Sequence, residues 1–159
     1  MKIRNGFVSN SSSSSFIVAF SKDIELTKES IKDYLFGEQK FITGNDDSIT
    51  TDEATDIILK DMINQKPNDD KNLLEACRGN LQGAPSWEDF KKKNGEPDWK
   101  KCEEARDEYV TKFLNDLKER TKSMDLYTFE FSDNDSSYYS ILEHGGTFDN
   151  VFYKQISNH

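Results

Sequence analysis

Histidine is nearly absent from this chain: His144 and His159 are its only two. A sequence so poor in imidazole has little material for a nucleophile–base pair or a metal centre. Cysteine is as scarce. Cys77 and Cys102 are far apart and in no metal-like spacing, which excludes a disulfide framework. Both fall among helical apolar positions, where a thiol packs as a small hydrophobe. No run approaches the roughly 18 apolar residues of a membrane span. After Lys2 and Arg4 the chain continues into serines where a signal peptide would carry its apolar segment, so a cytoplasmic location is expected. Basic residues are outnumbered, 21 against 30 acidic ones, for a net charge of −9. Such a surface repels phosphate backbones and anionic lipid; it disfavours nucleic acid and membranes as partners and suits proteins with a basic surface.

The apolar fraction is also low, 34% against 32% charged, yet 11 Phe, 6 Tyr and 2 Trp give more ring surface than a disordered chain carries. A chain of 159 residues buries roughly 68–70% of its extended surface, enough for a small aromatic core without a metal or disulfide. One domain, residues 1–159, is expected.

Residues 1–20 read as two short strands around a polar turn, the first ending at Phe7-Val8, the second the apolar run Phe16-Ile17-Val18-Ala19-Phe20. An unbroken run of strand length is typical of a strand covered on both faces. The middle is helical. Thr27 caps a helix ending near Gly37, with Ile31, Tyr34 and Leu35 as its stripe. Thr50-Thr51-Asp52-Glu53 has the capping-box form and opens a helix carrying Ala54, Ile57, Ile58, Met62 and Ile63, stopped before Pro67. A third helix covers about 69–78, and Ser86 starts a short fourth. The longest runs from about Pro97, in its first turn, to Lys122, with Trp99, Cys102, Arg106, Tyr109, Val110, Phe113 and Leu117 at helical spacing. Strands return at the end: Tyr127, Phe129 and Phe131 alternate with Thr128 and Glu130, the period of a half-buried strand, and Val151 to Ile156 makes the last one. Between them, Tyr138 to His144 reads as one or two helical turns closed by Gly145-Gly146. The pattern is α+β: a small, mostly antiparallel sheet of N- and C-terminal strands, packed by helices from the middle of the chain. Phe16, Val18, Phe113, Phe129 and Phe131 are expected in one core.

The opening string, Met1-Lys2-Ile3-Arg4-Asn5-Gly6-Phe7-Val8-Ser9-Asn10 followed by Ser11 to Ser15 and Phe16, resembles the start of a scattered group of bacteriophage and bacterial proteins. Leu142 to Asn150 is similar to the ending of some of them. Those relatives close on a histidine-richer tail, whereas this chain closes on Ile156-Ser157-Asn158-His159, a departure that weakens any metal site. The resemblance implies a phage or phage-related origin, hence a host cytoplasm as the location, and carries no activity with it.

Four constellations bear on function. The tract Ser9-Asn10-Ser11-Ser12-Ser13-Ser14-Ser15 can line a concavity whose backbone N–H groups hold an anion; it lacks the glycines and lysine of a phosphate loop, and a self-satisfied connection is the plainer alternative. Glu143-His144 before Gly145-Gly146 joins a carboxylate to an imidazole, a pairing able to act as base or ligand, with a helix C-cap and turn as its plain alternative. Asp133-Asn134-Asp135 opens like a calcium loop but has Tyr138 at the sixth position and His144 at the twelfth, so it is rejected. Gly44 to Ser48 is a turn. Trp87 and Trp99 bracket Lys91-Lys92-Lys93; at helix starts the indoles are expected to pack, leaving the lysines solvated.

No catalytic set, cofactor or metal is called for. The expectation is a non-catalytic acidic phage-type protein that binds, and in a sharper form inhibits, a host or viral protein such as a defence factor. Glu103, Glu104 and Asp107 are the partner-facing carboxylates. The alternative is a small enzyme or a nucleotide- or anion-binding protein whose site joins Ser11, Ser12, Ser13 and Ser14 to Glu143 and His144.

Overall fold

The structure, a computed structural model, describes residues 13–44, 46–78, 81–132 and 137–158. The expected strand ending at Phe7-Val8, the serines from Ser9 to Ser12 and the Asp133-Asn134-Asp135 turn lie outside the described residues. The chain forms two compact units, residues 1–67 with 123–159 and residues 68–122, and each is taken by itself.

The first unit is built on a three-stranded antiparallel sheet, ordered β4-β1-β5. Its centre is β1 (Ser13–Ser21), flanked by β4 (Met124–Ser132) and β5 (Tyr153–Asn158). Phe16 pairs with Phe129 and Val18 with Tyr127 across one ladder, and Phe16 with Gln155 and Val18 with Tyr153 across the other. Directly opposed residues share a face, so one face carries Ser14, Phe16, Val18 and Phe20 with Tyr127, Phe129, Phe131, Tyr153 and Gln155. The other face holds Ile17, Ala19 and Leu126, also buried. Burial on both faces is what the unbroken apolar run of β1 demands.

Two helices and a hairpin pack on the aromatic face. Helix α1 (Lys28–Phe36) starts where the Thr27 hydroxyl accepts from the Ser30 N–H and buries Ile31, Leu35 and Phe36. Helix α2 (Thr51–Asn64) opens with a complete capping box between Thr50 and Glu53 and buries Ala54, Ile58 and Met62. Ile63 does not join that stripe and is exposed, because one step past Met62 turns a side chain about 100° away. Gly44, Asp47 and Ser48, expected in a turn, belong instead to two strands the sequence did not announce, β2 (Phe41–Gly44) and β3 (Asp47–Thr50), paired as an antiparallel hairpin that adds Ile42 and Ile49 to the core. Four residues apiece are too few to establish a period of two.

The second unit is helical: α3 (Asp70–Arg78), a 3₁₀ turn (Trp87–Phe90) and the long α4 (Trp99–Arg120). Leu73 and Cys77 of α3 and Cys102, Val110, Leu114 and Leu117 of α4 are buried. Ion pairs from Arg78 to Asp107 (3.6 Å) and from Lys118 to Asp70 (3.0 Å) bind α3 to α4. Asp98 is the N-cap of α4, so Pro97 stands just before the helix and not in its first turn. Phe113 is only half-buried and does not belong to the aromatic cluster of the sheet, contrary to expectation. Leu114, four residues after Val110 and three before Leu117, continues the buried row in its place.

Among the described residues, five α-helices and two antiparallel sheets make an α+β structure whose main sheet comes from N- and C-terminal strands, packed by helices from the middle of the chain. Both cysteines are free and buried. No helix of the described residues is long and apolar enough to cross a membrane.

Candidate functional site

Helix α5 (Ser137–His144) brings the Glu143-His144 pair to the sheet. It buries Ile141 and Leu142 in the aromatic core and ends where Gly145 donates to the Ile141 carbonyl and Gly146 takes a φ of +71°. The glycines are structural. A Cβ on Gly145 would run into Ile42 and the Ile141 carbonyl, and one on Gly146 into the Asp149 carboxylate. The Thr147 hydroxyl donates to the Leu142 carbonyl at 2.8 Å, satisfying an acceptor the helix end leaves open. This is the C-cap and turn of the plainer alternative, and it also builds the site.

The cap lays Glu143 against the aromatic face of the sheet. The Ser14 hydroxyl donates to Glu143 Oε1 at 2.8 Å, and the Gln155 amide donates to Ser14 Oγ at 3.3 Å. The Glu143 side chain is fully shielded from water, while the His144 imidazole beside it is 37% exposed, with Nε2 3.4 Å from Glu143 Oε2. A cavity of about 420 Å³ opens there, between Glu143, His144, Asp149, Tyr153 and Gln155, with Phe16 and Phe148 as apolar wall. That volume lies within the usual range of small-ligand pockets. The Phe16, Phe148 and Tyr153 rings lie 5.6 to 6.2 Å from one another. Burial first, and then the Asp149 carboxylate, raise the Tyr153 hydroxyl above its ordinary pKa, and the hydroxyl donates toward Asp149 Oδ1 at 3.5 Å.

Of the residues expected at a ligand site, Ser14, Glu143 and His144 come together, and Ser11 and Ser12 lie outside the described residues. Ser13, Ser14 and Ser15 belong to β1, registered against Ser132, Phe131 and Glu130. They are strand and not loop, so their main chain serves the ladder instead of lining an anion-binding concavity. Tyr153 and Gln155 were missed. Their shared face follows from strand alternation, but placing that face beside Glu143 needs the β1–β5 register. Among the described residues no group of three or more His, Cys, Asp or Glu is gathered to hold a metal ion.

The helical unit holds a second concavity of about 400 Å³, lined by Trp87, Trp99, Cys102, Glu103, Arg106 and Asp107 with Arg78 and Ser86. The indoles do not pack away as expected: Trp99 is 63% exposed and Trp87 40%, with ring centroids 6.4 Å apart. Asp98 caps α4 with Trp99 at the first helical position, and Ser86, whose N–H donates to Asp89 Oδ2, stands just before Trp87. A helix start is a surface position unless another element covers it. The Lys91 ammonium sits 5.2 Å from the Trp87 ring, a cation–π contact. Two of the three expected partner-facing carboxylates, Glu103 and Asp107, line this groove, and Glu104 is the exposed residue beside them. No family model, no curated protein and no solved structure matches the chain.

Proposed function

We propose that the chain is a non-catalytic binding protein that docks a basic segment of a partner protein in the Trp87–Trp99 groove. One observation carries this: two exposed indoles face a common concavity rimmed by Glu103 and Asp107. Tryptophan is the residue most enriched among those that dominate binding energy at protein interfaces, and two of them on a surface are costly to leave in water. The chemistry of the occupant follows from charge. Arg78 is paired with Asp107, and Arg106 donates to the neutral Pro85 carbonyl and keeps its charge, while Glu103 and Glu104 make no ion pair among the described residues, so the two carboxylates outnumber the one uncompensated guanidinium. Lys91 over Trp87 supplies a template: a partner's lysine or arginine stacks on Trp99 in the same way and reaches Glu103. The resemblance to phage proteins makes a host or viral protein, such as a defence factor, the natural candidate.

The test uses the indoles themselves, because Trp87 and Trp99 are the only tryptophans of the chain. Titration with lysine- and arginine-rich peptides should shift and quench the fluorescence saturably, acidic peptides of equal length should not, and Trp99→Ala should weaken binding at least tenfold. The proposal fails if no basic peptide perturbs the emission and a partner captured from host cells is retained equally by the Trp87→Ala/Trp99→Ala variant.

The second reading, a small enzyme or a nucleotide- or anion-binding protein at Ser14, Glu143 and His144, has the Ser14–Glu143 hydrogen bond beside a cavity in its favour. The charge around that cavity argues against an anion.

A further inference from the structure

The sheet unit is where the chain keeps its negative charge. Residues 68–122 hold 13 acidic and 12 basic side chains, a net of −1; the remainder holds 17 and 9, a net of −8. The cavity at the end of α5 lies in this acidic unit. Two carboxylates, Glu143 and Asp149, border it, and among the described residues no lysine or arginine does. Its wall also carries the rings of Phe16, Phe148 and Tyr153, the Gln155 amide, the His144 imidazole and the Gly145–Thr147 turn.

We infer that this cavity binds an organic cation, a guanidinium or primary ammonium group, held between the Asp149 carboxylate and the Tyr153 ring, beside Glu143. A guanidinium is planar, with donors in its plane for carboxylate oxygens and a face that stacks on aromatic rings. The cavity presents both kinds of surface. Asp149 is exposed and is the direct contact. The Glu143 side chain is shielded from water, with the His144 imidazole beside it, and a cation that displaces the partly exposed imidazole reaches the Glu143 carboxyl directly. The volume of about 420 Å³ leaves room for the chain that carries the cationic head.

Agmatine, a free guanidinium compound, is the probe for calorimetric titration into the full chain, with acetate and inorganic phosphate as anionic controls. Agmatine is expected to bind saturably and the anions not at all. Asp149→Asn, an exposed change that keeps the side-chain shape, should weaken agmatine about tenfold, the scale of losing one hydrogen bond to a charged group. Glu143→Gln should weaken it as well while keeping an acceptor for Ser14. A tripeptide Gly-Arg-Gly binding more tightly than agmatine assigns the site to a protein side chain; the reverse order assigns it to a small molecule. Phosphate binding as tight as agmatine would overturn the inference, as would agmatine binding that neither substitution changes. Melting curves of both variants, matched to that of the parent, separate lost binding from lost fold.

Discussion

Phe131→Ala is the sharpest test of the sheet core. Phe131 is fully buried and its ring has four aromatic neighbours: Phe129 at 6.3 Å and Phe148 at 6.0 Å, both stacked, and Phe16 and Tyr139 at 6.0 Å, both tilted. Truncating a buried Phe to Ala costs about 3–5 kcal/mol, transfer and cavity together. Each aromatic pair adds roughly 0.5–1.5 kcal/mol beyond its area, which places this position toward the upper end. The cavity cannot close cheaply, because the surrounding rings hold one another. For a chain of this length about 1 kcal/mol corresponds to roughly 2–4 °C, so a loss of about 4 kcal/mol lowers the melting temperature by roughly 8–16 °C. The assay is urea unfolding followed by two probes. Near-UV circular dichroism reports the Phe and Tyr core, and tryptophan fluorescence reports residues 68–122, where both indoles lie. A chain that folds as one domain moves both probes together. A loss below about 1 kcal/mol would refute the aromatic core as described, and two transitions with the fluorescence unmoved would refute the single domain.

Other positions separate the structure from the expectations of sequence. Leu114→Ala should cost about 2–5 kcal/mol and half-buried Phe113→Ala clearly less; urea denaturation showing the reverse order would overturn the α4 packing. Gly145→Ala should destabilise by about 1–3 kcal/mol as an overpacked site, with a melting curve as readout. Burial raises the Cys77 thiol to about 11, so a thiol reagent at pH 8 should label the chain only as it unfolds, and a reductant should leave the melting temperature unchanged; rapid labelling of the native chain would contradict this. Asp52 is held below its ordinary carboxylate pKa first by the Lys32 hydrogen bond and then by the Lys28 charge, and Glu53 by hydrogen bonds from Tyr138 and then Thr50. Depressed folded values mean that the contribution is present above the unfolded pKa and lost as pH falls through the folded one. Stability should therefore decline below about pH 4, and less steeply in Asp52→Asn than in the parent; an unchanged slope would remove Asp52 from the account.

Where one element carried its own signal, the sequence was enough. The Phe16–Phe20 run, the 127–131 alternation and the Thr27 and Thr50 caps each state a local preference that no neighbour overrides. The β2–β3 hairpin lacked such a signal, and it is a tertiary product. Ile42 and Ile49 face each other only because both find the core. The site was legible in part. Glu143 and His144 stand out as an ionisable pair before glycines, but their meeting with Ser14 depends on how β1, β5 and α5 pack. The indoles were misread through a general preference. Large rings usually pack, and only the direction in which Asp98 and Ser86 start their helices shows that these two do not.

The same limit applies to charge. The whole-chain value of −9 suggested an acidic surface meeting a basic partner, yet the helical unit carrying the groove is within one charge of neutral. What steers a partner at physiological salt is the charge within a Debye length of about 8 Å. At the groove that is a local matter of Glu103, Glu104 and Asp107 against Arg78 and Arg106, with Asp107 already engaged by Arg78. Reversing Glu103 and Glu104 to Lys should slow association with a basic peptide and reduce its dependence on salt, because rim charges act mainly on the encounter rate. Reversing Asp116 and Glu119, exposed carboxylates near the other end of the same helix and about 20 Å along it from Glu103, should leave that rate unchanged within error. Stopped-flow fluorescence at two salt concentrations reads both. Equal slowing by the two pairs would mean that the net charge of the chain, and not the row beside Trp99, governs recognition, and the groove would lose its claim to be the docking face.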